Sequence, residues 1–334
     1  MTVKYFQQLS DEKVKCGICP QNCVLKPGNV GSCKVRRNVA GEIQNETYQL
    51  YSGISYDPIE KKPLYHFYPG SIILSVGSVG CNMHCQWCQN CEISQQGIEG
   101  SSKLVKYTPE NLLHVALQKD NNIGIAYTYN EPGINFETVI EVSELFMQND
   151  LKNVMVTNGY VSKEPISEYL KTIDAFNVDI KAFEESAHHK YTGAKLKPVL
   201  ENLILIKTAE KHLELTFLIV PGVNDNPRHF KKFIKWMSSE LGMDVPLHIS
   251  RYFPRYKYDN SPTSESVLEK FCNMASEKLN YVYAGNISLK NFEQTLCPSC
   301  HSVVIWRRGY YAKIEEHSKG GRCGNCGTKI FELG

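Results

Sequence analysis

The sequence has little charge bias. Its 37 basic and 35 acidic residues leave a formal charge of +2 over 334 residues, so composition alone draws it to no polyanion. Long apolar runs are missing: the stretches at 71–76 and 213–220 fall far short of the roughly 20 residues a membrane helix needs. The first 15 residues are polar and lack the apolar centre of a signal peptide. Low-complexity linkers and fixed-period repeats are absent too. Together these absences set the expectation of a soluble cytoplasmic protein, not bound to membrane, with nucleic acid a poor match as partner.

Cysteine is present in excess. An odd count of 13 rules out a complete set of disulfides, and without a targeting segment reduced thiols and metal ligation are expected. The cysteines fall into sets: Cys16, Cys19, Cys23 and Cys33; then Cys81, Cys85 and Cys88; then Cys297, Cys300, Cys323 and Cys326. Cys91 and Cys272 stand outside them.

The region 14–69 is rich in Gly, Pro and Cys and reads as irregular, metal-pinned structure. From residue 71 strand-like and helix-like segments alternate. Strands are expected at 71–79, 123–129, 154–157, 176–180, 213–220, 245–249 and 281–284. Helices are expected at 109–119, with Thr108 as cap and Pro109 in the first turn, and at 135–149, 165–172, 199–211, 230–241 and 264–279. At least six such units predict an α/β fold, a partial (βα)6 TIM-type barrel over 70–290. A Cys-rich segment (1–69) precedes it and a metal-binding module (291–334) follows. Polar and Gly-containing segments lie just after the strands, where a parallel barrel places its active site.

The segment Gly80-Cys81-Asn82-Met83-His84-Cys85-Gln86-Trp87-Cys88 carries the most information. A [4Fe–4S] cube that only carries electrons takes four thiolates; three, spaced C-x3-C-x2-C, leave one iron open for a small chelating molecule. The competing reading is a zinc or structural site that borrows Cys91 or His84. At the other end, Cys297-Pro298-Ser299-Cys300 and Cys323-Gly324-Asn325-Cys326 are two C-x2-C knuckles, the pattern of a tetrahedral site for zinc or a single iron, as in a zinc ribbon or a rubredoxin. A structural role is expected there, with a redox relay as the alternative. For Cys16, Cys19, Cys23 and Cys33 a second iron–sulfur cluster and a structural zinc fit equally.

The triplet, with Trp87 beside its last cysteine at the first strand of an α/β barrel, resembles the radical S-adenosylmethionine (SAM) superfamily over about residues 71–286. The resemblance implies a [4Fe–4S] cluster on Cys81, Cys85 and Cys88, with SAM on the open iron. It further implies reductive cleavage of SAM to a 5′-deoxyadenosyl radical, which abstracts hydrogen from a small-molecule or protein substrate, and a flavodoxin- or ferredoxin-type electron donor. Glu131-Pro132 resembles the motif whose acid contacts the SAM amino group. Asn158-Gly159 and Asp179-Ile180-Lys181 resemble the third- and fourth-strand motifs of pyruvate formate-lyase activating enzymes. Tyr129-Asn130 replace that family's paired glycines, and Val156 replaces an aspartate. Motifs at 16–20, 57–63, 66–70, 89–90, 127–132 and 283–286 are similar to the radical SAM member of the AmmeMemoRadiSam system, which implies Memo-like and Ammecr-like partners.

Trp87, Glu131 and Asn158 are thus candidate cofactor contacts, and Glu131, Asp179 and Lys181 candidate catalytic groups. Asp179 and Lys181 alternate in a strand and share a face, expected to be the inner one; on the outer face they would be a solvated pair. His188-His189 reads as a solvated loop, and the aromatic run from Tyr252 to Tyr258 as a cover over the barrel mouth. Two other functions stay open. A glycyl-radical activase is less favoured because the activases with extra clusters carry the added cysteines after the triplet, and here they lie before residue 34 and after 296. A non-catalytic zinc-ribbon module that recruits RNA or protein does not account for the motifs after the strands.

Overall fold

The computed structural model describes residues 3–101, 103–318 and 320–331. Its centre is one eight-stranded sheet, built from β1 (Gly53–Pro58), β2 (Ile72–Gly77), β3 (Asn122–Tyr127), β4 (Lys152–Thr157), β5 (Ala175–Ile180), β6 (His212–Ile219), β7 (Leu247–Arg251) and β8 (Val282–Gly285). Strands β2 to β8 are parallel and neighbour one another in chain order; β1 pairs antiparallel with β2 and forms the opposite edge from β8. The six expected βα units are present, closed by a seventh parallel strand. The edge strand β1 lies before residue 70, in the stretch expected to be irregular, and its one local signal is the short alternation Ile54-Ser55-Tyr56-Asp57.

The helices form for ordinary reasons. Thr108 caps Pro109–Leu117 through a reciprocal box with Asn111. In Phe136–Gln148 the buried side chains Phe136, Val139, Val142 and Phe146 follow the helical repeat and lie against the sheet. The outward residues of β5 and β6, including Phe176, Val178, Leu213, Leu215 and Phe217, join the same core. The segment after β5 holds a helix the sequence reading left as loop, Glu185–Thr192. His188 on it is fully buried, with Nδ1 2.9 Å from the Ala194 carbonyl, which corrects the solvated reading; its neighbour His189 is exposed as expected.

Inside the curved sheet the core is polar. Glu214 of β6 is 0 % exposed and accepts from the His66 amide (2.7 Å), His212 Nε2 (2.9 Å) and His248 Nε2 (2.6 Å). Burial opposes its charge, yet the two imidazoles hold its carboxyl well below the usual range. His66 belongs to an inner segment, residues 59–68, that fills the barrel; Asn177 Nδ2 donates to the Pro63 carbonyl at 2.7 Å, and Ile59, Leu64 and Phe67 cover the lower ends of the strands.

The C-terminal module is a small antiparallel sheet, Thr295–Leu296, Val303–Arg308 and Tyr311–Ile314, set against the β8 side. Arg307, 1 % exposed, donates to Thr295 Oγ1 (2.6 Å) and the Tyr65 carbonyl (2.7 Å), with its guanidinium 4.2 Å from the Tyr65 ring. The Ile330 carbonyl lies 2.9 Å from His66 Nδ1, so the module also caps the inner network. No helix among the described residues is long and apolar enough to cross a membrane.

Candidate active site

The cysteine loop begins at Gly80, where φ is +84° and a Cβ would stand 2.5 Å from the Cys33 carbonyl oxygen; glycine alone permits that approach. Asn130 fixes the loop's entry by donating to the carbonyls of Val79 (3.1 Å) and Gly80 (3.0 Å) while accepting from the Ser78 amide (2.9 Å). The amides of His84 and Gln86 donate to the carbonyls of Thr192 and Tyr191. Tyr129, standing where the activases have glycine, adopts a φ of +71° that favours glycine and sends its hydroxyl to Asp57 Oδ2 at 2.6 Å.

Three sulfurs face one cavity of about 560 Å³, together with Trp87, Glu131, Asn158, Asp179 and Lys181. The Cys81 sulfur accepts from the Met83 amide (3.4 Å) and Asn158 Nδ2 (3.6 Å); the Cys88 sulfur lies 3.0 Å from Ser94 Oγ. Burial pushes the Cys81 thiol well up and the Cys85 thiol up to about 12, so both stay protonated until a metal displaces the proton. His84 has both ring nitrogens engaged, Nε2 with Ser32 Oγ (2.7 Å) and Nδ1 with Gln95 Oε1 (3.0 Å), and is not free to ligate. Among the described residues neither Cys91 nor any other donor brings these thiols to the mutual spacing of a single ion, within 4.8 Å. Three sulfurs on one cavity wall, with no further donor drawing them to a common centre among the described residues, fit a cluster with one open iron.

Glu131, 2 % exposed, accepts from the Gly133 amide (2.7 Å), Thr157 Oγ1 (2.7 Å) and the Asn158 amide (2.8 Å). Burial raises its pKa against those three donors. It thereby joins the end of β3 to the end of β4, with one acceptor position left for a ligand. Asp179 and Lys181 both face the cavity, 3.0 Å apart. Burial works against the Lys181 ammonium, but the Asp179 carboxylate holds it above the usual lysine range. Trp87 is 3 % exposed between Tyr191 and Tyr258, each 6.1 Å away centroid to centroid. The aromatic run, expected as a cover over the barrel mouth, lies instead against the cysteine loop: the Lys257 amide donates to the Gln86 carbonyl (2.9 Å), and Gln89 Nε2 to the Phe253 carbonyl (2.9 Å).

The structure adds cavity residues not singled out as site candidates from the sequence, although Lys62 and Asn286 lie within the motifs at 57–63 and 283–286. Lys62 reaches the cavity while donating to Asp57 (2.7 Å), and Thr216, Ser250, Asn286 and the module's Tyr310 line it. The positions of Ser250 and Asn286 at strand ends could have signalled them, whereas Thr216 lies within β6 and Tyr310 in the distant module.

In the C-terminal module the four sulfurs of Cys297, Cys300, Cys323 and Cys326 all lie within 4.8 Å of one another. The Cys297–Cys326 and Cys300–Cys323 pairs are 3.4 and 3.5 Å apart. Four bonds of about 2.3 Å to one tetrahedral ion set an edge of about 3.8 Å, so the set fits a single ion. The Ser302 hydroxyl pulls the Cys300 thiol down to about 5, toward the ligating form.

The profile described as Radical SAM superfamily matches residues 75–237. A protein of Methanocaldococcus jannaschii described as uncharacterized is 40 % identical over 331 residues, 98 % of this chain and 97 % of that one. The 4-hydroxyphenylacetate decarboxylase activating enzyme of Clostridium scatologenes is 24 % identical over 206 residues, 58 % of this chain and 66 % of that enzyme. Among solved structures, a radical SAM methyltransferase from Sphaerobacter thermophilus overlays with a TM-score of 0.51 at 11 % identity, over 71 % of each chain.

Proposed function

We propose that this chain, which belongs to the radical SAM superfamily, cleaves SAM reductively and directs the resulting radical to a substrate in the cavity walled by Asp179, Lys181, Ser250, Asn286 and Tyr310. The observation that carries this reading is the placement of three sulfurs after β2 facing that cavity, with no further donor gathered to a single-ion spacing among the described residues. A [4Fe–4S] cluster held by Cys81, Cys85 and Cys88 would supply the one electron that reductive cleavage of SAM to methionine and the 5′-deoxyadenosyl radical requires.

The chain's own groups bind and orient. Cys81, Cys85 and Cys88 hold the three ligated irons. Asn158 donates to the Cys81 sulfur, moderating its charge. The free acceptor position of Glu131 receives the SAM ammonium, a charge-assisted bond in a site with little water. Trp87 and the 252–258 segment keep solvent from the loop. The Asp179–Lys181 pair presents an anion and a cation side by side, suited to a polar substrate. Cys297, Cys300, Cys323 and Cys326 hold one structural ion, zinc or iron. A flavodoxin- or ferredoxin-type protein supplies the electron, in the cytoplasm, and the flanking motifs favour Memo-like and Ammecr-like partners.

A second reading, activation of a glycyl-radical enzyme, is favoured by the names of relatives such as the Clostridium scatologenes enzyme. In that case a partner's glycine loop enters the same cavity. Anaerobic reconstitution followed by dithionite and SAM tests both: 5′-deoxyadenosine is expected, and its absence beside an active control enzyme overturns them. Deuterium transferred from a labelled glycine loop to 5′-deoxyadenosine would select the second.

A further inference from the structure

Cys16, Cys19, Cys23 and Cys33 come together on turns at the N-terminal end of the chain; three are 6 % exposed and Cys23 is half-buried. Amides point at their sulfurs in the manner of metal-thiolate knuckles: Ile18 to Cys16, Gln21 to Cys19, and Val35 and Arg36 to Cys33. Gly31 sits between two of them, since a Cβ there would meet the Cys33 sulfur at 3.7 Å and the Cys23 sulfur at 3.8 Å. Beside the set lies Arg36, 1 % exposed. One arm is bound to Glu137 at 2.6 Å, while Nη1 has no hydrogen-bond partner in the protein. The same guanidinium acts electrostatically on the Cys16 and Cys33 thiols. Its charge is already met by Glu137, so what Nη1 offers, beside three buried thiols and one half-buried one, is a spare donor for a sulfide or thiolate acceptor.

The spacing says which kind. Among the described residues, no three of these sulfurs lie within 4.8 Å of one another, whereas those of the C-terminal module all do. One tetrahedral ion draws its thiolates to a common centre; a cube gives each thiolate its own iron and spreads them. The segment also abuts the Cys81–Cys88 loop. The Cys33 carbonyl lies 2.5 Å from where a Cβ of Gly80 would be. Gln21 Nε2 donates to the Asn82 carbonyl (3.2 Å) and Ser32 Oγ pairs with His84 Nε2 (2.7 Å).

We infer that Cys16, Cys19, Cys23 and Cys33 hold a second [4Fe–4S] cluster, with all four irons ligated, which carries electrons to the cluster on the neighbouring loop. One electron enters from a low-potential one-electron donor of the flavodoxin or ferredoxin class and one leaves across the contact with residues 80–84; no bond forms and no proton moves. The electron-carrying role rests on the SAM-cleavage reading, but occupancy of the site does not.

The test uses the full chain, reconstituted anaerobically. A Cys81→Ala/Cys85→Ala/Cys88→Ala variant should retain about four iron and four acid-labile sulfide per chain, with a reduced-cluster EPR signal that SAM does not change. A single iron in the C-terminal module brings no sulfide and cannot imitate this. Stoichiometric zinc without sulfide lost on Cys19→Ser/Cys33→Ser, or loss of all sulfide from the triple variant, would overturn the assignment. In the otherwise native chain, Cys19→Ser/Cys33→Ser should halve the sulfide, keep the SAM-sensitive EPR signal, and lower the ratio of flavodoxin-driven to dithionite-driven SAM cleavage at least tenfold. An unchanged ratio overturns the electron-carrying role. Failure of the native chain to cleave SAM, with the triple variant still holding sulfide, would sink the functional reading and leave the site standing.

Discussion

The cysteine loop at 81–88 and the C-terminal module use the same side chain to opposite ends. In the loop, the protein supplies its own order: parallel strands, Gly80, Asn130 and the amides of His84 and Gln86 fix the backbone. The sulfurs there stay spread and open to a cavity. In the module, three short strands enclose little apolar core of their own, and four converging sulfurs are what tie its two knuckles together. Where the scaffold supplies the order, metal is left free for chemistry; where it does not, metal binding is folding free energy.

The sharpest way to break this comparison is at the loop. Cys81→Ala, Cys85→Ala or Cys88→Ala should reduce 5′-deoxyadenosine formation to background while circular dichroism and melting change little. A variant that unfolds would mean the loop, too, depends on its metal.

The converse holds for the module. Cys323→Ser/Cys326→Ser should release its ion and lower the melting temperature by about 5–10 °C, because Arg307 and the Ile330 carbonyl lose their places against Tyr65 and His66. Melting curves with metal analysis would check it; an unchanged melting temperature would show that the module contributes nothing to the barrel.

A smaller effect is expected at Glu214, which stabilises the barrel through its charged hydrogen bonds. Glu214→Gln should cost about 2–3 kcal/mol at pH 7, measured by denaturant unfolding, since one of its acceptor oxygens becomes a donor facing imidazole. The native carboxyl is held below its ordinary range, so its contribution is full above about pH 5 and is lost as the pH falls below about 4. The gap between native chain and variant should therefore close in acid; a gap that widened there would reverse the assigned charge.

At the small end, Glu131→Ala should weaken SAM binding by about 10- to 100-fold, an energy of about 1.5–3 kcal/mol, and leave iron content nearly intact. Because Glu131 also joins β3 to β4 through Thr157 and Asn158, falling iron with normal SAM affinity in the residual loaded protein would make it a purely structural residue.

The parts of this molecule legible in the sequence were those with local signals. Parallel strands read as apolar runs because both their faces are covered, and Thr108-Pro109 announced a helix start. The inward face of Asp179 and Lys181 followed from the outward Phe176 and Val178. What was not legible depends on distant partners. Strand β1 exists because β2 offers an edge, and nothing in Gly53–Pro58 alone requires it. Likewise the Glu214 cluster: His212 shares its face by strand alternation, but His248 and the His66 amide reach it only through strand pairing and the inner segment. His188 looked solvated beside its twin because alternation within a short helix cannot be seen without knowing the helix is there.

Tyr310 belongs to the C-terminal module yet lines the cavity that the barrel strands build. On the proposed function, the machinery for making a radical and one wall of the room in which it is spent therefore lie on separable stretches of chain. A lineage that altered only the hairpin between Arg308 and Tyr311 could change which molecules gain entry while the strands, the cysteine loop and Glu131 stayed as they are. In such an architecture, diversity of substrate costs no revision of the reaction.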